Sequence, residues 1–163
     1  MKTLLILRHA KSNWADPGMT DHNRPLNSRG KHDAPRIGQL LREQGLVPDL
    51  ILSSTAKRAR STAKRVVEGG ELTCEPQLLD ELYLAPAATY VALLRRQAAE
   101  HGRILVIGHN PGLEELVLLL TGTCVALPTA ALVQVGFEID TWFELPDHGV
   151  GKLVASWEPR ELA

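Results

Sequence analysis

The chain has 163 residues, of which 44% are hydrophobic and 23% are charged, proportions typical of a globular protein rather than a disordered one. Its 18 Lys and Arg nearly balance 19 Asp and Glu, and the net charge of −1 provides no overall positive field for nucleic acids or anionic membranes. Aromatic residues, at 4%, are too few for a base-stacking surface. We therefore expect a single domain over residues 1–163, with no nucleic-acid or membrane partner.

The cysteine content and the apolar runs predict a compartment. The two cysteines, Cys74 and Cys124, form neither a disulfide framework nor a zinc-ligand pattern. The apolar run at residues 4–7 is shorter than the core of a secretory signal, which needs about 7–15 residues. These features predict a cytoplasmic protein without a structural metal.

Strand-like and helix-like segments alternate through the first half of the chain. Residues 4–7 form a short apolar run typical of a strand that is covered on both faces, and residues 10–27 form a long polar loop. The later predictions in this half are a helix over 28–44, a strand over 49–53, a helix from Ser54 or Thr55 to about Glu68, and a short strand over 72–75.

The second half repeats this alternation and then changes character. Pro86 begins a predicted helix, residues 103–107 form the clearest strand, and Asn110 caps a helix that Pro111 opens. Residues 131–137 and 152–157 are predicted to be strands of an antiparallel edge. The pattern predicts an α/β fold, a three-layer αβα sandwich with a mainly parallel central sheet and an antiparallel C-terminal edge.

Basic residues and histidines follow three of the predicted strands. They are Arg8 and His9 after the first, Lys57, Arg58 and Arg60 after the second, and His109 and Asn110 after the strand over 103–107. Ligands of such sheets bind at the carboxyl ends of the strands, where we expect these side chains to meet.

The chemistry of this set favours a phosphoryl group. Arginine matches phosphate oxygens in pairs, a neutral imidazole is a competent nucleophile, and a second, protonated histidine would stabilise charge in the transition state. The sequence contains no Gly-rich phosphate loop and no cluster of aspartates for a metal. What remains is a histidine mechanism that needs neither a metal nor a cofactor.

Four segments of the sequence carry a family resemblance. They are residues 5–10 (LILRHA), 24–30 (RPLNSRG), 53–63 (SSTAKRARSTA) and 106–112 (VIGHNPG). In this order they resemble the motifs of the histidine phosphatase superfamily, in its phosphoglycerate-mutase-like branch. The short chain most resembles the SixA-type phosphohistidine phosphatases. The resemblance implies the phosphoglycerate-mutase-like fold.

The resemblance also implies roles for individual residues. His9 is the expected nucleophile, Arg8 and Arg58 are expected to hold the phosphoryl oxygens, and His109 is expected to complete the pocket. Glu81 matches the position of the proton donor in mutase-like members. SixA-type enzymes resemble cases in which that acid is dispensable, so both possibilities stay open.

Three further residues, Lys11, Ser12 and Asn110, are expected to contact the substrate. Ala15 stands where mutase-like members often place an asparagine, so that one contact with the phosphoryl group is missing in this sequence. Arg60, Lys64 and Arg65 are predicted to form a solvated helix face.

The leading function is hydrolysis of phosphohistidine in a phosphorylated protein. Two alternatives stay open: a phosphomonoesterase for small molecules on the same fold, and a phosphate-binding protein without catalytic activity. The sequence does not determine the oligomeric state.

Overall fold

The computed structural model describes residues 1–14 and 16–162 of the chain. Its strands are β1 (Lys2–Arg8), β2 (Leu50–Ser54), β3 (Gln77–Leu79), β4 (Arg103–Gly108), β5 (Leu132–Phe137) and β6 (Lys152–Trp157). Its helices are α1 (Ser28–Glu43), α2 (Lys57–Gly70), α3 (Ala87–Arg95) and α4 (Gly112–Thr121).

The strands form one sheet in the order β3-β2-β4-β1-β5-β6. β3, β2, β4 and β1 pair in parallel, whereas β5 pairs antiparallel with both β1 and β6. The predicted α/β architecture, with its mainly parallel sheet and antiparallel C-terminal edge, is therefore confirmed.

Helices cover both faces of the sheet. Along β1, Leu5 and Leu7 pack with buried residues of α1 and α2. Leu4 and Ile6 point to the other face and pack with buried residues of α3 and α4. Because successive side chains of a strand point to opposite faces, an uninterrupted apolar run fits a strand between two helical layers.

Glycines allow α1 and α2 to pack closely. A Cβ on Gly38 would lie 2.1 Å from the carbonyl oxygen of Val66, and one on Gly70 would lie 2.6 Å from the oxygen of Gly38. The sequence predicted that α2 ends at about Glu68. In the structure the helix continues to Gly70, and the residue that follows it, Glu71, has the left-handed conformation. Gly38 and Gly70 therefore allow α1 and α2 to approach each other closely, and Gly70 does not end α2.

The third strand lies at Gln77–Leu79, so the prediction over 72–75 was wrong. Leu72 is buried, and its amide donates a hydrogen bond of 2.9 Å to the carbonyl oxygen of Val67. The apolar residue that resembled a strand therefore belongs to the C-terminal cap of α2.

The strand register brings the predicted functional segments to one edge of the sheet. Arg8 at the end of β1 is paired with Gly108 at the end of β4, and Ser53 of β2 is paired with Ile107. His9 and His109 each follow immediately after these aligned ends, and α2 begins just after β2.

Candidate active site

The two histidines that follow β1 and β4 lie side by side. Their ring centroids are 5.2 Å apart, and His9 is 6% exposed while His109 is 1% exposed. Parallel strands in register end at the same edge of the sheet, which explains how residues 100 positions apart in sequence come together.

His9 is held in one tautomer. Its Nδ1 lies 2.8 Å from the carbonyl oxygen of Ala10, which can only accept, so Nδ1 carries the proton. Its Nε2 accepts a hydrogen bond of 3.3 Å from Arg58 Nε and therefore presents a lone pair. Burial lowers the pKa of His9 to about 3, an effect to which the neighbouring His109 and arginines add. The ring is thus neutral near pH 7, as a nucleophile requires.

Arg58 lies at the centre of the cluster and is 2% exposed. It projects inward from the first turn of α2, between the two histidines. Its Nη1 donates to the backbone oxygen of Asp21 at 2.8 Å, and its Nη2 lies 3.1 Å from Asp21 Oδ2 and 3.3 Å from His109 Nδ1. A planar guanidinium in such a place is suited to bind phosphoryl oxygens.

His109 is oriented by β2. Its Nε2 lies 2.8 Å from Ser54 Oγ, while Nδ1 faces the donor Nη2 of Arg58, so Nε2 carries the proton. Burial, followed by the charge of Arg58, lowers the pKa of His109 to about 3, against an opposing effect of Asp21. Both histidines are therefore neutral in the ligand-free protein.

Arg8 lies next to a cavity of about 570 Å³ at the same edge of the sheet. Its Nη1 donates to the carbonyl oxygen of Leu127 at 3.0 Å, and this oxygen also accepts from Asn110 Nδ2 at 2.9 Å. Asn110 and Leu127 line the same cavity. Among the described residues, the buried Nε of Arg8 has no hydrogen-bond partner, so this guanidinium keeps donors for an anion.

Asp21 and Tyr83 belong to the site, and sequence reasoning missed both. Asp21 Oδ2 accepts from Arg58 and from the Tyr83 hydroxyl, and its Oδ1 accepts from Arg24 Nε at 3.0 Å. Burial alone would raise the pKa of Asp21, but these hydrogen bonds and the Arg58 charge outweigh it and lower the pKa to about 2. The Tyr83 ring stands edge-on to His109, with centroids 5.5 Å apart. Neither residue lies in a periodic pattern or in one of the four motif segments quoted from the sequence.

The other predicted site residues have different surroundings. Glu81 is exposed and pairs with Arg96, whose Nη2 lies 2.9 Å from Glu81 Oε1. Among the described residues, Glu81 has no hydrogen bond with Arg8, His9, Arg58 or His109.

Lys11 and Ser12, the remaining predicted site residues, lie in the loop that follows β1. Ser12 Oγ accepts from Arg24 Nη1 at 3.1 Å, and Lys11 is exposed while its carbonyl oxygen accepts from the amide of Asn27 at 3.0 Å. Ala15, at the position of the missing contact, lies outside the described residues.

Within residues 1–14 and 16–162, no three His, Cys, Asp or Glu side chains are placed so that they could hold a metal ion together. In the same part of the chain, none of the helices combines the length and the apolar character that crossing a membrane requires.

Comparison with known proteins identifies the family. Residues 4–83 match the histidine phosphatase superfamily (branch 1). An uncharacterised chloroplastic protein of Arabidopsis thaliana is 34% identical over 168 residues, which cover 93% of this chain and 75% of that protein.

Solved structures agree with this match. The putative phosphohistidine phosphatase SixA from Agrobacterium tumefaciens superposes with a TM-score of 0.83 and 30% identity, covering 97% of this chain and 98% of that chain. A protein histidine phosphatase SixA in complex with tungstate has the same fold, with a TM-score of 0.82, 23% identity, and 97% of both chains covered.

The matched residues 4–83 include Arg8, His9 and Arg58, which the structure brings together with His109. The chain therefore belongs to the histidine phosphatase superfamily, has the SixA-like fold, and is a phosphatase that acts on phosphorylated substrates.

Proposed function

We propose that the protein hydrolyses phosphohistidine in a phosphorylated protein, through a phosphohistidine intermediate on its own His9. The observation that carries this proposal is the orientation of the His9 ring. Its Nδ1 is bonded to the Ala10 carbonyl oxygen, and its Nε2 lone pair faces the buried Arg58. The resemblance to the putative phosphohistidine phosphatase SixA, at 30% identity over nearly the whole chain, supports the choice of substrate.

The reaction proceeds in two displacements at phosphorus. His9 Nε2 attacks in line, the new P–N bond forms, and the P–N bond of the substrate breaks, so that the substrate imidazole leaves and takes up a proton. Water then attacks the phosphorus of phospho-His9 and breaks the Nε2–P bond, which gives inorganic phosphate and restores neutral His9.

Arg8, Arg58 and His109 stabilise the charge that develops on the phosphoryl oxygens. In the free protein, Arg58 Nη2 is bonded to Asp21 Oδ2 and to His109 Nδ1. A phosphoryl group next to His109 raises the pKa of this ring, because a nearby negative charge favours the imidazolium. His109 then acts as a donor to the phosphoryl oxygen through Nδ1. Asn110 and Arg8, which share the cavity, are placed to contact the rest of the substrate.

The surroundings of Glu81 favour a reaction without a dedicated carboxylic acid. This carboxylate is exposed and paired with Arg96. An imidazole leaving group is readily protonated by solvent, whereas the alkoxide of a phosphomonoester depends on a general acid, which typically contributes about 10²–10⁴-fold. Phosphohistidine is therefore the substrate that fits an active site in which Glu81 is dispensable.

A substrate panel tests the proposal. A phosphohistidine peptide, phosphoramidate, sugar phosphates and nucleotide phosphates are compared as substrates of the wild type, His9→Ala and Glu81→Gln. We expect the highest kcat/KM for the peptide, with a change of less than about threefold in Glu81→Gln, well below the contribution of a general acid. Glu115→Gln, which changes an exposed carboxylate on α4, is the matched control.

Two results would overturn the proposal. Faster hydrolysis of a sugar or nucleotide phosphate, together with a large loss of that activity in Glu81→Gln, would identify a phosphomonoesterase for small molecules. Phosphate binding without turnover of any compound in the panel would indicate a binding protein.

A further inference from the structure

A second cavity, of about 610 Å³, lies on the outer side of α2, where the chain leads into β3. Its apolar part consists of Val67, Pro76 and Leu78, of which Leu78 is 46% exposed. Cationic side chains from successive turns of α2 line the same cavity. We call this surface the α2 groove and define it by Lys57, Arg60, Lys64, Val67, Pro76 and Leu78.

The three cations of the α2 groove are exposed and unpaired. Within residues 1–14 and 16–162, none of them has a carboxylate oxygen within 4.0 Å. Glu68 and Glu75 also line the cavity and still form no ion pair with them in that part of the chain.

Several arginines on other surfaces of the molecule have partners. Arg95 pairs with Asp147 at 2.7 Å and Arg96 pairs with Glu81 at 2.9 Å. Arg42, which makes no ion pair with the described carboxylates, donates to the carbonyl oxygens of Gly70 and Glu71. The positive charge of the α2 groove is therefore available to a negatively charged ligand from outside the chain.

One end of the α2 groove is next to an active-site residue along the chain. Lys57, the first residue of α2, is adjacent in sequence to Arg58, which projects into the active site from the same helical turn. From Lys57 to Val67 the helix rises about 15 Å, at 1.5 Å per residue. An extended polypeptide segment that follows the α2 groove over this length contains about five residues, at about 3.3 Å each.

We propose that the α2 groove docks an acidic, partly apolar segment of the phosphorylated protein substrate, next to its phosphohistidine. This inference rests on the proposed function. Acidic side chains match the unpaired cations, and aliphatic side chains match Val67, Pro76 and Leu78. A nucleic acid fits less well, since none of the residues that line this cavity is aromatic and can stack on a base.

Two synthetic phosphohistidine peptides test the docking site. Both carry leucine near the phosphohistidine, and their other flanking residues are Asp and Glu in one peptide and Gln in the other. The enzymes are the wild type, the double variant Arg60→Glu/Lys64→Glu, and Lys152→Glu, which reverses an exposed charge on β6 at the opposite edge of the sheet. Phosphoramidate, which is too small to reach the α2 groove, reports the basal reaction.

We expect the wild type to prefer the acidic peptide by about tenfold in kcat/KM, a size typical of a few exposed ion pairs acting together. The preference falls as salt is added, because exposed charges are screened. The double variant loses the preference and keeps its rate on phosphoramidate, whereas Lys152→Glu retains both.

Four outcomes separate the possibilities. Equal hydrolysis of both peptides by the wild type, or a preserved preference in the double variant, would overturn the docking site while the proposed function stands. Tighter binding of a single-stranded RNA than of the acidic peptide would also overturn it. Hydrolysis of sugar phosphates but of neither peptide would overturn the proposed function, and the docking site with it.

Discussion

Charged side chains at the two ends of the parallel strands have different partners. At the amino ends they bond to backbone groups: Asp49 Oδ2 accepts from the amides of Gly102 and Arg103 at 2.8 and 2.9 Å, and Arg103 Nη1 donates to the carbonyl oxygen of Val47 at 2.9 Å. At the carboxyl ends, Arg58 also bonds to a backbone oxygen, that of Asp21, but it lies in addition between two imidazoles, each within 3.3 Å of one of its nitrogens.

This difference separates charge that stabilises the fold from charge that is available for chemistry. The amino-end bonds join β4 to the chain just before β2 and involve only groups of the protein itself. At the carboxyl end the charges of Arg8 and Arg58 repel each other, and burial keeps both histidines neutral. An incoming phosphoryl group supplies negative charge in addition to that of Asp21, the carboxylate that pairs with Arg58. Substitutions at the carboxyl end should therefore reduce activity, and substitutions at the amino end should reduce stability.

The largest expected effect is that of His9→Ala. Removal of the nucleophile should lower kcat on a phosphohistidine peptide by at least about 10³-fold, because the covalent intermediate can no longer form. Trapping of acid-labile phosphate on the wild type, and its absence from the variant, measures the same step. His32→Ala, which removes an exposed histidine of α1, should retain full activity. Substantial activity in His9→Ala would refute the mechanism.

The second largest effect is expected for Arg58→Lys. We expect a loss of about 10²–10³-fold in kcat/KM, because an ammonium cannot replace a planar donor that contacts both histidines. The affinity for tungstate, measured by calorimetry, should fall as well. Arg60→Lys changes an exposed arginine of the same helix and should leave the rate on phosphoramidate unchanged. Unchanged activity in both variants would show that only the positive charge of α2 matters, because both substitutions preserve that charge.

The buried neutral histidines predict how stability depends on pH. In the unfolded chain they titrate near 6.5, but in the folded protein the pKa of His9 and of His109 is about 3. Between these values the unfolded state binds more protons, so the free energy of unfolding decreases as the pH falls from 6.5 toward 3.

His109→Gln should lower the slope of the free energy of unfolding against pH by up to about 1.4 kcal/mol per pH unit, the value for one proton. The measurement is urea unfolding between pH 5 and 7, with His32→Gln as the control. An unchanged slope in His109→Gln would mean that His109 is already protonated in the folded protein.

Asp49→Ala should have the smallest effect on activity. Loss of its two bonds to backbone amides should lower the free energy of unfolding by about 1 kcal/mol and leave kcat unchanged. Thermal unfolding and turnover of phosphoramidate measure the two quantities. A drop in kcat without a drop in stability would contradict the distinction between the two ends of the sheet.

The sequence predicted the parallel sheet and the meeting of three strand ends, because apolar runs mark buried strands and the carboxyl ends of parallel strands share one edge. It did not predict Asp21 or Tyr83, whose contacts with Arg58 and His109 depend on how a polar loop and a short turn fold back over the site. The single domain and the cytoplasmic location stay predictions.

The pattern of apolar residues also gave a wrong prediction where an apolar side chain suits both a strand and the end of a helix. Leu72 resembled part of a strand, but the same apolar side chain suits the buried end of a helix. The pairing of Glu81 with Arg96, from the end of α3, is a long-range contact that no motif contains, and the catalytic role of Glu81 stays a prediction.

Thr62 connects the segment of His9, the proposed nucleophile, to α2, the helix that carries the buried Arg58. Its hydroxyl accepts from the amide of Ala10 at 2.9 Å and donates to the carbonyl oxygen of Arg58 at 2.7 Å. The residue after His9 is thereby fastened to the first turns of α2. Because both bonds end on one hydroxyl, we expect Thr62 to keep the distance between His9 Nε2 and the Arg58 guanidinium constant when a substrate binds.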